Sequence, residues 1–152
     1  MHDPLSKFSA MCHCLLPSWP DDYQGTQPER DRFRYVDTTL EAMLAEFDAQ
    51  NIPIERLQIK VFGGANVMVP SSDITAVGSL NCQRAKQLLD EKNLSPAACD
   101  IGGAAGRTIV FETQTGCVLV KRLACGSKAN SSQDGLQVFN KEKGTWPRSA
   151  AY

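Results

Sequence analysis

The spacing of apolar residues along the chain predicts two helices and several short strands. Helical spacing predicts one helix over about 35–50, with Asp37 or Thr38 as its expected cap, and a second over 77–92. Alternating apolar and polar positions predict strands over 8–16, 57–62 and 95–101. Two further strands, 108–112 and 117–122, form a predicted hairpin around Gln114-Thr115-Gly116. This order of elements indicates an α/β domain whose β-sheet is mixed.

The remaining segments are predicted to be irregular. Prolines, glycines and acidic residues predict an exposed, mobile loop over 17–34, and residues 67–77 lack a regular pattern. Past Cys125 the composition becomes polar. We therefore expect a single domain over 1–125 and a tail over 126–152, with one short strand at Leu136–Phe139 before a disordered end.

Composition excludes some classes of function. The chain has 152 residues, 16 basic against 17 acidic, and a net charge of −1. This balance gives no electrostatic reason to expect binding to nucleic acid or anionic lipid. No apolar run reaches the roughly 20 residues that cross a bilayer, and the N-terminus lacks the pattern of a secretion signal. We expect a cytoplasmic protein whose six cysteines are mostly buried free thiols rather than disulfides.

One of the two histidines is the candidate catalytic residue. His13 lies in a predicted strand, and an imidazole of near-neutral pKa can accept a proton from a thiol and return it to a leaving amine. The alternative is a histidine with a purely structural role. Strand alternation places Cys12 and Cys14 on the face opposite His13, so neither is expected to be its nucleophile. Their spacing is also poor for zinc, and we expect no metal or other cofactor.

Two pairs of glycines follow predicted strands. We name Gly63 and Gly64 the first glycine turn, and Gly102 and Gly103 the second glycine turn. Such pairs serve turns that need a positive φ, or they expose backbone amides that can hold an oxyanion or a substrate amide. Arg107 follows the second turn and either pairs with a nearby acid such as Asp100 or contacts an acidic partner. Both alternatives remain open for each feature.

These motifs, in this order, resemble those of the CheD family of bacterial chemoreceptor glutamine deamidases. Lys60-Val-Phe-Gly-Gly-Ala65 matches the family's Lys-x-Phe-Gly-Gly-Ala, whereas Leu80 stands where its Gly-x-Arg-Asn motif has arginine. The resemblance covers roughly residues 3–123. Its other matching positions are Asp3, Pro4, Lys7, Ala10, Met11, His13, Leu16, Pro17, Tyr35, Asp37, Gly78, Asn81, Asp100, Gly102, Gly103, Gly106, Arg107, Phe111, Thr115 and Gly116.

The resemblance implies a fold and an activity. The fold is a single domain of two packed β-layers, a layered sandwich with flanking helices. The activity is hydrolysis of selected glutamines in the cytoplasmic region of chemotaxis receptors to glutamate and ammonia, by cysteine and histidine, with His13 as the histidine. The implied partners are receptor helices and, in some members, the phosphatase CheC. We expect a monomer that neither binds nucleic acid nor inserts into membranes.

The family's nucleophilic cysteine has no counterpart at the expected place. It belongs to a Leu-Gly-Ser-Cys segment that would precede Met1. Two explanations compete: the start lies upstream, which we favour because His13 and both glycine turns are present, or catalysis has been lost. The second explanation predicts an inactive adaptor that binds receptors or CheC.

Overall fold

Helices and short strands alternate along the part of the chain that the structure describes. It is a computed structural model, and it describes residues 1–66, 77–123 and 137–139. Its helices are α1 (Pro28–Asp31), α2 (Val36–Ala49) and α3 (Val77–Glu91), with 3₁₀ turns at Arg32–Arg34 and Ile54–Arg56. Its strands are β1 (Lys60–Gly63), β2 (Ala98–Ile101), β3 (Arg107–Phe111), β4 (Val118–Arg122) and β5 (Gln137–Phe139).

The strands form one parallel pair and one antiparallel sheet. β1 pairs with β2 in parallel, with Lys60 opposite Ala98 and Gly63 opposite Ile101. A parallel pair needs a long crossover connection, and α3 lies within it. β3, β4 and β5 form an antiparallel sheet in that order. Helices combined with these two kinds of sheet confirm the predicted α/β class with mixed strands.

Both long helices are confirmed nearly to the residue, but the expected cap is wrong. α2 begins at Val36, with Tyr35 as its N-cap residue, and no side chain bonds to the cap position. The carboxylate of Asp37 instead accepts the backbone N–H of Trp19 at 3.0 Å. Asp37 therefore ties the preceding loop to the first turn of the helix rather than closing that helix.

The prediction of a strand over 8–16 is wrong. Only isolated bridges form there, from Ser9 to His2 and from Leu16 to Tyr35. Alternation describes an extended backbone, but a strand also needs a continuous hydrogen-bonded neighbour. The predicted loop over 17–34 contains α1 and a 3₁₀ turn, and Trp19 stacks on Tyr23 with ring centroids 4.3 Å apart.

The first residues of the chain are held firmly by contacts with more distant segments. His2 is 2% exposed, and its backbone pairs with Gln58 in both directions. Asp3 is fully buried and accepts two hydrogen bonds from Arg56, at 2.8 and 2.7 Å. These bonds hold the pKa of Asp3 well below its usual value. A charged pair and a backbone bridge thus anchor this end to the segment before β1.

Side-chain contacts connect the helices, the parallel pair and the antiparallel sheet. Phe47 of α2, Leu89 of α3 and Val120 of β4 are each about 1% exposed. The ammonium of Lys60 donates to the carbonyls of Gly116 and Phe139, at 2.7 and 2.8 Å, and so joins β1 to the antiparallel sheet. None of the helices within the described ranges has the length and apolar character that a membrane crossing requires.

Some predictions fall outside the described residues. These are the irregular segment over 67–76, Cys125, Leu136 and the tail beyond Phe139. The described part of the tail is β5, which lies within the short strand expected at Leu136–Phe139. The division into a domain over 1–125 and a tail stays a prediction.

Candidate active site

A cavity of about 270 Å³ lies between the two long helices and the two groups of strands. Val61 lines it from the parallel pair, Ile59 from the segment just before β1, and Leu40 and Leu89 from the helices. The extended segment 10–14, which carries the candidate histidine, forms another part of its wall. A mostly apolar recess with a few polar groups is the usual setting of a catalytic site.

His13 lies at this cavity with an exposed side chain. The segment around it is fixed at both ends. The backbone N–H of Ala10 donates to Met1 at 3.0 Å, and that of Leu15 donates to Arg34 at 2.7 Å. The imidazole has no hydrogen-bond partner within the described residues. His13 is therefore accessible to a substrate and to a nucleophile brought to the cavity.

The cysteines differ from the predicted pattern of burial. Of those described, only Cys82 is buried; Cys12 is exposed, and Cys14, Cys99 and Cys117 are partly exposed. Cys12, Cys14, Cys82 and Cys117 are free thiols. The sulfur atoms of Cys12 and Cys14 lie 3.9 Å apart, so both side chains point to the same side of the backbone. This agrees with alternation even though no strand forms.

The first glycine turn lies at the cavity and needs its glycines. Gly63 and Gly64 have φ values of +114° and +67°, which favour glycine. A Cβ at Gly64 would lie 2.0 Å from the sulfur of Cys82 and 2.7 Å from the carbonyl oxygen of Gly78. α3 therefore packs directly on the turn, and both Gly64 and Gly78 permit that approach.

The second glycine turn is bonded to the first through the backbone. Gly102 and Gly103 also have positive φ values, +71° and +76°. The N–H of Gly102 donates to the carbonyl of Gly63 at 2.8 Å, and the N–H of Asn66 donates to that of Gly103 at 2.9 Å. Gly63 and Gly64 line the cavity, whereas Gly102 and Gly103 are not among the described residues that line it. The second turn thus supports the first from behind.

Arg107 is buried in an ion pair beside the second turn. Its side chain is 5% exposed and donates to Asp100 at 2.7 Å. Arg122, which is half exposed, donates to the same carboxylate at 3.0 Å. Burial alone would raise the pKa of Asp100, but the hydrogen bonds from Arg107 and Arg122 keep that pKa below its usual value. Pairing with Asp100 is the structural alternative named for Arg107, and Arg107 does not line the cavity.

The structure brings two polar groups to the cavity that sequence reasoning did not select. Asn81 at the start of α3 lines the cavity, and its Oδ1 is buried without a partner among the described residues. Lys60 also lines it, and burial lowers the pKa of its ammonium group. Both belong to the motifs quoted above, which is the signal that could have singled them out. No group of three or more His, Cys, Asp or Glu side chains suited to a metal ion occurs in the described ranges.

Comparison with known proteins finds a family model and relatives that all carry the same family name. The family model for CheD chemotactic sensory transduction matches residues 15–122, which include both glycine turns and begin two residues after His13. The probable chemoreceptor glutamine deamidase CheD 2 of Geobacter sulfurreducens is 42% identical over 123 residues, covering 81% of this chain and 72% of that protein.

Two further relatives bear similar names. The probable chemoreceptor glutamine deamidase CheD of Maridesulfovibrio salexigens is 32% identical over 127 residues, covering 81% of this chain and 75% of that protein. The chemoreceptor glutamine deamidase CheD of Halalkalibacterium halodurans is 30% identical over 130 residues, covering 84% of this chain and 78% of that protein. With the family model matching well over half of its length, the chain belongs to the CheD family.

Proposed function

We propose that this protein is a chemoreceptor glutamine deamidase, a protein-glutamine glutaminase. It hydrolyses the side-chain amide of selected glutamines in the cytoplasmic region of chemotaxis receptors, giving glutamate and ammonia. The observation that carries this proposal is the CheD match over 15–122, together with relatives named for the same activity. The same relatives favour the enzyme over an inactive adaptor.

His13 moves the protons in this reaction. A cysteine thiol attacks the amide carbon only as the thiolate, so a base must take its proton. The same imidazole, now protonated, gives a proton to the departing ammonia, and water then resolves the thioester. The exposure of His13 at the edge of an apolar cavity supports this role.

The first glycine turn supplies the electrostatic stabilisation. Attack on the amide leaves a negative oxygen, which backbone N–H groups bind well. The N–H of Gly102 is already bonded to the carbonyl of Gly63, so it is not free for this purpose. Gly64 lines the cavity, and its N–H has no backbone partner among the described residues. We assign the oxyanion contact to Gly64, with Gly63, Gly102, Gly103 and Arg107 holding the turn in place.

The assembly state and further partners follow from the family resemblance alone. We propose a cytoplasmic monomer that binds receptor helices and, where a CheC phosphatase occurs, binds it as well. Light scattering would give the mass in solution. Co-elution with a purified receptor fragment or with CheC would test each partner separately.

Replacing His13 should abolish deamidation. The assay uses the longest form of the protein that the gene encodes, a cytoplasmic receptor fragment, and mass spectrometry of receptor peptides. Because general acid–base catalysis contributes roughly 100-fold or more, His13→Ala should lower the rate by at least that factor. Ser18→Ala, at an exposed position in the neighbouring loop, is the control and should keep full activity.

Two results would contradict the mechanism or the function. Full activity of His13→Ala would remove His13 from the mechanism. Absence of any glutamine-to-glutamate conversion by the unmodified protein would reject the activity itself. Cys12→Ser and Cys14→Ser, measured alongside, identify whether either neighbouring thiol is the nucleophile.

A further inference from the structure

Cys12 and Cys14 form a pair of neighbouring thiols around the candidate catalytic histidine. Their sulfur atoms are 3.9 Å apart, whereas a disulfide bond is about 2.05 Å long. Cys12 is exposed and Cys14 is partly exposed, and both lie at the cavity. The two sulfur atoms are in contact but not covalently bonded, and both are accessible to small molecules.

The backbone between them is free to adjust. Amides 11–14 form no backbone hydrogen bond to any residue that the structure describes, while Ala10 and Leu15 on either side are bonded. Bringing the two sulfur atoms from 3.9 Å to bonding distance requires the side chains to rotate and the backbone between them to adjust. A segment fixed at its ends and unpaired in its middle permits that movement without breaking a sheet.

The pair also has the acidity that thiol exchange needs. The hydrogen bond between the Cys12 and Cys14 thiols lowers the pKa of Cys14 to about 7, assisted by Thr39 and opposed by burial and by Asp37. The same contact raises the pKa of Cys12. Cys14 is thus the member that exists partly as a thiolate near neutral pH, and the thiolate is the attacking species.

We propose that Cys12 and Cys14 are a modification site that closes reversibly into a disulfide and thereby reorients His13. The oxidant class is a low-molecular-weight disulfide such as oxidised glutathione. The Cys14 thiolate attacks one of its sulfur atoms, and one thiolate leaves. Cys12 then loses its proton, attacks the sulfur of Cys14, and expels the second thiolate. Two protein thiols become one disulfide, and one glutathione disulfide becomes two thiols.

The consequence for His13 follows from the size of the ring. The new ring contains the whole backbone of His13, so its dihedral angles and the direction of its imidazole change together. So small a ring strains the bond, and strained disulfides are the readily reduced, regulatory ones. The effect on catalysis rests on the proposed function, whereas formation of the disulfide does not.

The test uses the whole chain in buffers of graded glutathione ratio. Peptide mapping by mass spectrometry should find a peptide with Cys12 and Cys14 that has lost two hydrogens, and a reductant should restore them. Cys12→Ser should instead carry a glutathione adduct on Cys14. The control Cys117→Ser, at a partly exposed thiol that does not line the cavity, should behave like the unmodified chain. Two free thiols, or two separate adducts, at every ratio would overturn the proposal.

A second readout separates this proposal from the deamidase assignment. The ring-proton NMR signals of His13 should move on oxidation; unmoved signals beside a formed disulfide would overturn the link to His13. Deamidation by the oxidised form should fall about a hundredfold, as for a misplaced catalytic group. If the peptide with Cys12 and Cys14 does not lose two hydrogens on oxidation, the disulfide is rejected even when the enzyme is active. A protein inactive in both states, with the disulfide and the moving signals present, counts only against the deamidase.

Discussion

At the scale of single residues, the two glycine turns show how positive φ and close packing act separately. Position 64 requires glycine for two reasons: its φ is +67°, and α3 leaves no room for a Cβ atom. Position 102 requires glycine for one reason only, its φ of +71°. A Cβ atom there would have no other atom within 4 Å. Glycine pairs that look alike in the sequence therefore carry different structural demands.

Alanine at these two positions should separate the two demands. Gly64→Ala should lower the free energy of unfolding by about 3 kcal/mol, since left-handed strain and overpacking each cost about 1–2 kcal/mol. Gly102→Ala should cost only the strain, about 1 kcal/mol. Urea denaturation followed by circular dichroism measures both. Equal losses at the two sites would mean that packing of Cys82 against Gly64 is unimportant.

The two histidines show what the sequence could and could not predict at this scale. The motif around His13 marked it as the candidate, and the structure places it, exposed, at the cavity. The burial of His2 was missed. It depends on a backbone bridge to Gln58, on a hydrogen bond to Ser9, and on Gly116. A Cβ atom added at Gly116 would lie 2.4 Å from the His2 ring. Such contacts join distant parts of the chain, and local patterning contains no information about them.

At the scale of elements, the spacing of apolar residues predicted the helices and the hairpin, whose hydrogen bonds join residues that are near in sequence. α2, α3 and the β3–β4 hairpin all fall where apolar spacing placed them, because helices and hairpins bond to near neighbours. Residues 8–16 have the same alternation as a strand but no continuous partner in the described chain. α1 is one turn long and buries no residue, so no apolar stripe could reveal it.

The ion pair between strands β2 and β3 should make stability depend on acid. Hydrogen bonds from Arg107 and Arg122 keep the folded pKa of Asp100 below its ordinary value of 3.8, despite burial. This contribution is complete above the unfolded pKa and is lost as the pH falls through the lower folded pKa. Asp100→Asn should cost about 3 kcal/mol at neutral pH, since it leaves buried Arg107 without its charge partner.

Thermal unfolding between pH 2 and pH 7 would measure this contribution. The difference in stability between the unmodified chain and Asp100→Asn should be constant near neutrality and shrink towards the acid end. Lys86→Ala, which removes an exposed ion pair with Asp90, is the control and should have little effect at any pH. A constant difference down to pH 2 would show that the charge of Asp100 is irrelevant.

At the scale of the whole molecule, the fold depends on ties between remote segments. Asp3 bonds Arg56, Ser9 donates to the carbonyl of Thr113 at 2.9 Å, and Lys60 reaches Gly116 and Phe139. The first residues, the segment before β1 and the antiparallel sheet are thereby held as one unit. The sequence predicted the class of fold, whereas the arrangement around the cavity arises from these side-chain ties.

The parallel pair of strands also sets an order of assembly in time. β3 and β4 are neighbours in sequence, but β1 and β2 must wait for the long segment containing α3 to close, and closing longer loops costs more chain entropy. Val120→Ala in β4 should therefore slow folding in stopped-flow measurements, whereas Val61→Ala in β1 should chiefly hasten unfolding. The reverse pattern would show that the parallel pair forms first. In the expected order, the cavity is the last part of the protein to be completed, so a newly made chain acquires its structure before its capacity to act.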